Sequence, residues 1–175
     1  MSYARVRALI VLGVLAVAAL VFVTVALVRD TQSNAQVVEN CPEGYDVADI
    51  SLPEPKDVKL RVLNGTETDG TGQKVSDDFA NRKFQVSKPE NNDKVVAGVA
   101  TLRYGPKAVG GAHLLRAYFL DQADRQYDRT RKNDVVDVII GSDFKQLATT
   151  TEVNQSLVEL GQPELPPQAC AAPES

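Results

Sequence analysis

Residues Lys59–Val86, KLRVLNGTETDGTGQKVSDDFANRKFQV, decide the fold. Leu60, Val62 and Leu63 make a first apolar strand, and Asn64-Gly65 ends it with residues that tolerate positive φ. A glycine-rich turn follows with Gly65, Gly70 and Gly72, and Asp69 and Thr71 stand where a helix cap would. Val75 and Phe79 recur at helical spacing, while Lys74, Asp77, Asp78, Asn81 and Arg82 supply a polar face. Phe84 and Val86 then alternate as a strand. A helix with so narrow an apolar stripe is not stable alone, so it must lie on a sheet that contains its own flanking strands.

Outward from this unit, the amino terminus is of a different kind. Ala8 to Val28 runs about 21 residues without a charge, enough to cross a hydrocarbon layer of roughly 30 Å. Arg5 and Arg7 precede it and Asp30 follows Arg29, so the positive-inside rule places the amino terminus in the cytoplasm and the rest outside. A cleaved signal peptide is the competing reading. Its apolar core usually spans about 7–15 residues, and the longer run here favours a retained single-pass anchor. The organisation expected is therefore a cytoplasmic end (residues 1–7), a transmembrane helix (8–28), an extracytoplasmic stalk (29–58), a domain (59–148) and an extended tail (149–175).

Two cysteines, Cys41 and Cys170, flank the domain. An even count in an oxidising compartment favours one disulfide, with two free thiols as the alternative. They and a single histidine, all far apart in sequence, make no metal-ligand cluster. The net charge of −4 becomes two units more negative once Arg5 and Arg7 are set apart, and an acidic ectodomain is a poor nucleic-acid binder.

Beyond Val86 the pattern predicts a strand over Val95–Tyr104, ended by Gly105-Pro106. A second helix begins near Lys107, with Ala108, Ala112, Leu115 and Phe119 on its buried stripe. Gly110-Gly111 lowers helix propensity by about 1 kcal/mol per glycine, so a close packing contact is expected there. Asp121–Asp134 is a mixed-charge run read as the exposed helix end and a loop. Val135–Ile140, VVDVII, is the central strand, and Phe144–Leu147 is a short helical turn. The polar, proline-bearing chain after Thr149 reads as an extended tail held by Cys170. The fold class is α/β: a small two-layer sandwich, a sheet of three to four strands packed by two main helices, behind one transmembrane helix.

Three strand ends offer candidate binding residues. Gly65-x-x-x-x-Gly70 after a strand has the spacing of a phosphate loop, yet Thr71-Gly72 replaces the lysine and hydroxyl a nucleotide site requires. What survives is a turn of Asn64, Gly65, Thr66, Gly70 and Thr71 whose backbone N–H groups could hold a phosphate or sugar hydroxyl. The alternative is a turn bonded only to itself. Tyr104 offers an aromatic platform and Lys107 a charge at a second strand–helix junction. If the strands are parallel, both junctions and Gly141-Ser142-Asp143 gather at one sheet edge. His113, beside the apolar stripe of the second helix, reads as a surface or half-buried histidine. No catalytic residue and no cofactor is assigned.

Taken in order, RVLNGT (Arg61–Thr66), the glycine turn and helix, KFQV (Lys83–Val86), TLRYGP (Thr101–Pro106), the Gly110–Phe119 helix and VDVIIGSDF (Val136–Phe144) resemble the LytR C-terminal domain of actinobacterial cell-envelope proteins. Family members often carry glycine before the second-strand phenylalanine; here that place is Lys83, so the helix must end without a glycine cap. The large LytR-CpsA-Psr catalytic domain that precedes it in many members has no room between anchor and Lys59. The layout resembles small, virulence-associated members of the family that maintain envelope integrity. The resemblance implies a membrane-anchored binding or scaffold protein whose partners are envelope-assembly membrane proteins or wall glycopolymer, with a homo-oligomer left open. The second reading is an enzyme or lipid-carrier-handling accessory of glycopolymer attachment.

Overall fold

The computed structural model describes Tyr3, Arg7, residues 12–24 and residues 41–172. In chain order its elements are α1 (residues 12–24), β1 (Asp46–Ala48), β2 (Lys59–Asn64), α2 (Thr71–Asn81), β3 (Gln85–Val86), β4 (Glu90–Asn91), β5 (Ala100–Tyr104), α3 (Val109–Tyr118), β6 (Ala123–Tyr127), β7 (Val135–Ile140), α4 (Thr150–Leu160) and β8 (Ala169–Ala171). Single 3-10 turns sit at Pro55–Asp57 and Pro106–Ala108. Residues 41–172 form one unit, and α1 lies in another. Among the described residues no helix is long and apolar enough to cross a membrane. Both ends of the expected 8–28 anchor, and residues 29–40 of the stalk, fall outside the described residues.

The six-stranded sheet has the order β3-β2-β7-β5-β6, with β4 also beside β2. It is larger than the three to four strands expected. β2 pairs in parallel with β3, β4 and β7, whereas β5 is antiparallel to β7 and parallel to β6. The added strands were hidden for a physical reason: β6 (ADRQY) is an edge strand with three exposed polar residues, so it has no apolar alternation to read. β4, with Glu90 and Asn91 both exposed, hides in the same way.

One face of the sheet makes the core. Leu60, Val62, Val136, Val138, Leu102 and Ala100 meet Val75 and Phe79 of α2 and Ala112 and Leu115 of α3, all buried. Phe79 is fully enclosed, which stabilises the fold by roughly 1.5–3 kcal/mol through its side chain alone. It stands edge-on to Phe84 with ring centroids 5.2 Å apart, and Phe84 in turn meets Tyr118 at 5.1 Å. On the opposite face, Leu63 and Ile139 are also buried, and Val96 N–H donates to the Gly65 carbonyl at 2.8 Å.

Three segments depart from the sequence reading. Residues 150–160 form α4, where an extended tail is expected. Its start is fixed by a capping box between Thr149 and Glu152, and Val153 and Ser156 are buried. The signals were present as Thr149-x-x-Glu152 and as Val153, Leu157 and Leu160 at helical spacing, masked by the polar composition around them. Residues 144–147 form no helical turn and run as an irregular strap. The stretch from Cys41 to Val58, expected as stalk, packs into the domain: β1 pairs in parallel with β8, and Ala48 is fully buried. Cys41 and Cys170 lie at disulfide-bonding distance beside this pair, Cα–Cα 5.9 Å, at a sequence separation of 129.

Candidate functional site

The turn after β2 is bonded to itself. Asn64, buried at the strand end, donates through Nδ2 to the Thr68 carbonyl at 3.0 Å. Its Oδ1 accepts from the Thr66 N–H at 3.2 Å and the Thr66 hydroxyl at 2.9 Å. The Thr71 hydroxyl also donates to the Thr68 carbonyl, at 3.0 Å. Thr71 and Asp69 therefore do not cap α2; the N-cap is Gly70 in the left-handed region, φ 79°, without a side-chain cap. The polar atoms of Asn64, Thr66 and Thr71 hold the loop in shape. Gly65 lets it close against the sheet: its N–H donates to the Ile140 carbonyl at 3.0 Å, and a Cβ there would stand 2.7 Å from that oxygen.

The single edge expected from parallel strands divides in two. Asn64 pairs with Ile140, so the Asn64–Thr71 turn and Gly141-Ser142-Asp143 share one end of the sheet. The 96–99 segment bridges them: Val96 N–H donates to the Gly65 carbonyl, while Ser142 N–H donates to the Val96 carbonyl and Gly141 N–H to the Val99 carbonyl. Because β5 runs antiparallel to β7, Tyr104 and Lys107 lie at the opposite end. Tyr104 is no platform: it is buried beside Tyr127, ring centroids 5.9 Å apart, and burial pushes its phenol up from the ordinary value. Lys107 is exposed and lines a separate cleft with Asp49, Asp57 and Asp134.

At the Asn64 end, a groove of about 540 Å³ opens between α2 and the strap. Gly70, from the expected site, begins it, followed by Gln73, Lys74, Asp77 and Asn81 from α2 and Phe144, Lys145 and Gln146 from the strap. Asp78 also borders it but is held by Arg82 at 2.9 Å. The Arg82 guanidinium lies 5.4 Å from the Tyr118 ring centroid and donates to the Ala148 carbonyl at 2.7 Å, pinning the end of the strap to α2. Of the groove's side chains, Lys74, Asp77, Asp78 and Asn81 belong to the polar face that the sequence pattern predicts for the helix. Nothing in that pattern signals the strap that faces them.

Two buried titratable groups elsewhere are missed or only partly read from the sequence. Asp137, at 1% exposure within VVDVII, accepts from Arg61 Nε at 3.0 Å and Nη2 at 3.2 Å, and from Arg131 Nη1 at 2.7 Å. Burial alone would raise its carboxyl, yet the Arg131 and Arg61 guanidiniums outweigh that and hold it below the ordinary value. Removing one partner of such a buried pair costs about 3–5 kcal/mol, so the cluster is structural. The lone acid in an apolar strand was its sequence signal. His113 is more buried than expected, at 4% exposure, and its Nε2 lies 3.0 Å from the Gly161 carbonyl beyond α4. A carbonyl only accepts, so Nε2 carries the proton.

The family model described as LytR cell envelope-related transcriptional attenuator matches residues 57–144, from before β2 to just past β7. The chain belongs to this family. The matched region of this LytR-family chain contains the six-stranded sheet, α2, α3 and the Asn64–Thr71 turn, whereas β1, α4 and β8 lie outside it. No curated protein matches the chain. Among solved structures, the chain is similar to the soluble domain of a conserved hypothetical secreted protein from Mycobacterium marinum. The TM-score is 0.54 at 22% identity, covering 68% of this chain and 83% of the other. That likeness is one of fold and extends beyond the family match. Lys83, after α2, adopts the left-handed conformation that favours glycine, φ 75°.

Proposed function

We propose that the chain is a membrane-anchored protein whose extracytoplasmic domain maintains the cell envelope by binding, with wall glycopolymer or an envelope-assembly membrane protein as partner. The observation that carries the reading is the family match over residues 57–144, the region that builds the sheet and one wall of the open groove along α2. The anchor rests on the apolar run from Ala8 to Val28 and the arginines before it. The closeness of Cys41 and Cys170 supports an oxidising compartment. Within the turn that a phosphate site would use, Asn64, Thr66 and Thr71 bond one another and the Thr68 carbonyl, which favours recognition elsewhere on the surface.

The test is incubation of the detergent-solubilised full chain with isolated wall glycans and with lipid-linked wall precursors. Binding is measured by co-sedimentation and turnover by chromatography of the glycans. Retention without product is expected. Release or transfer of a glycan would instead establish the second reading, an accessory enzyme of glycopolymer attachment.

A further inference from the structure

The strap between β7 and α4 is held at its two ends. Phe144 N–H donates to the Gly141 carbonyl at 3.2 Å, and Ala148 donates to the Tyr118 carbonyl at 2.9 Å. Between them, among the described residues, the peptide groups of Lys145, Gln146 and Leu147 make no hydrogen bond within the protein. Leu147 points inward and is buried, while Lys145 and Gln146 are exposed. Phe144 is half-buried, its ring edge-on to Phe119 at 6.1 Å, and it lines the groove on each side of the strap. Across the first groove, α2 presents Gln73, Asp77 and Asn81 at intervals of four, so they form one row about 12 Å long. Gln73 donates to Asp77 at 2.8 Å and sets its carboxylate toward the groove row.

This lining has a definite chemical character. Side-chain amides, a carboxylate and unpaired peptide groups offer donors and acceptors in alternation around a partly exposed aromatic ring. Lys74 and Lys145 share the lining with Asp77, while Asp78 is taken by Arg82, so the groove mixes both signs and has no strong field of one sign with which to select an anion or a cation. A nucleic acid or a polyanion would meet only two lysines with a carboxylate between them, too little to neutralise it. An apolar peptide helix would find too few apolar side chains, since Phe144, Leu147 and Val75 are the only ones in the lining.

We propose that the groove between α2 and the strap binds an uncharged oligosaccharide. The Phe144 ring takes the apolar face of a sugar, Asp77 and Asn81 bond its hydroxyls from the helix side, and Gln146 and the free strap peptides bond them from the other. The inference rests on the envelope-binding reading above and gives that reading a site and a ligand class.

The experiment titrates the full chain in detergent micelles with a β-1,4-linked N-acetylglucosamine tetramer and a galactan tetramer. It follows backbone amide resonances, with an unstructured peptide of equal length as the third arm. Saturable shifts are expected at residues 144–147 and along α2 for at least one oligosaccharide. The double variant Asn81→Ala/Gln146→Ala removes exposed side chains and leaves the packed residues in place, and it should bind about tenfold more weakly. Phe144→Leu, which keeps an apolar contact with Phe119, should weaken binding while the rest of the spectrum is unchanged. Glycan binding that maps elsewhere, or that survives the double variant, overturns this site while the envelope-binding reading stands. Shifts with the peptide alone overturn the ligand class. Failure of both oligosaccharides to bind, together with capture of wall glycans by the same preparation, overturns the groove and spares the broader function.

Discussion

Lys83 shows how much one residue can leave unimproved. The end of α2 is a Schellman arrangement: Phe84 N–H donates to the Phe79 carbonyl at 3.1 Å and Lys83 N–H to the Ala80 carbonyl at 3.0 Å. The contact of Phe84 with Phe79 is the hydrophobic partner that motif usually carries. The geometry therefore demands the left-handed region at Lys83, and a side chain there is strained by roughly 1–2 kcal/mol. Glycine relieves that strain but gains entropy in the unfolded chain, so Lys83→Gly should stabilise the domain by about 1 kcal/mol. A urea-denaturation midpoint that fell on this substitution would show that the lysine side chain holds a contact the motif does not explain. The expectation that the helix ends without a glycine cap holds in composition; in conformation the cap is present.

At the scale of elements, the Gly110-Gly111 pair separates into two different roles. Gly110 lies where the segment after β1 crosses α3: its N–H donates to the Asp49 carbonyl at 2.9 Å, and a Cβ would stand 1.7 Å from the Ser51 carbonyl oxygen. No rotamer change relieves a clash with backbone, so Gly110→Ala must push the 49–53 segment off the helix and should cost about 3 kcal/mol. Gly111 faces Val58 at 3.4 Å, an ordinary contact, and alanine there should stabilise α3 by up to about 1 kcal/mol through helix propensity. Thermal melts of the two single variants measure this. Equal effects would mean that the crossing at Ser51 does not constrain α3. The close contact expected from sequence is thus real for one glycine of the pair.

At the scale of the molecule, two buried titratable groups on different faces make stability depend on pH in the same direction. Burial pushes His113 below the ordinary imidazole value, against a smaller opposing effect of its bond to the Gly161 carbonyl. Arg116 and Arg125 push it the same way as burial, and Asp121 opposes. The unfolded chain therefore takes up a proton near the free value of about 6.5 before the folded one does. The stability His113 contributes is complete above that value and is lost as pH falls toward the folded pKa. Asp137, held low by its guanidiniums, contributes stability that is complete above about 3.9 and is lost as pH falls through its lower folded value. A urea midpoint that is level above about pH 7, declines toward pH 5 and declines again below pH 4 is expected. His113→Gln, which retains a donor for Gly161, should flatten the first decline and leave the second. A midpoint that rose on mild acidification would refute the burial of a neutral His113.

What the sequence determined by itself is the part of the fold made by local pattern. Period-two and period-3.6 apolar spacing, glycine punctuation and the ordered motifs from Arg61 to Phe144 specified β2, α2, α3 and β7. They also identified the family. The same local signals failed where burial is one-sided or polar: β6 and β4 are edge strands without alternation, and α4 carries few apolar residues. Only the tertiary structure decided strand direction. An antiparallel β5 carries no mark in its own residues, yet it sends Tyr104 and Lys107 to the far end of the sheet and leaves Gly70 beside the strap. Only long-range pairing brought Arg61 onto Asp137, and the strap against Gln73, Asp77 and Asn81. A site made of residues more than sixty positions apart is set by how elements pack, and packing is not written in the period of any one of them.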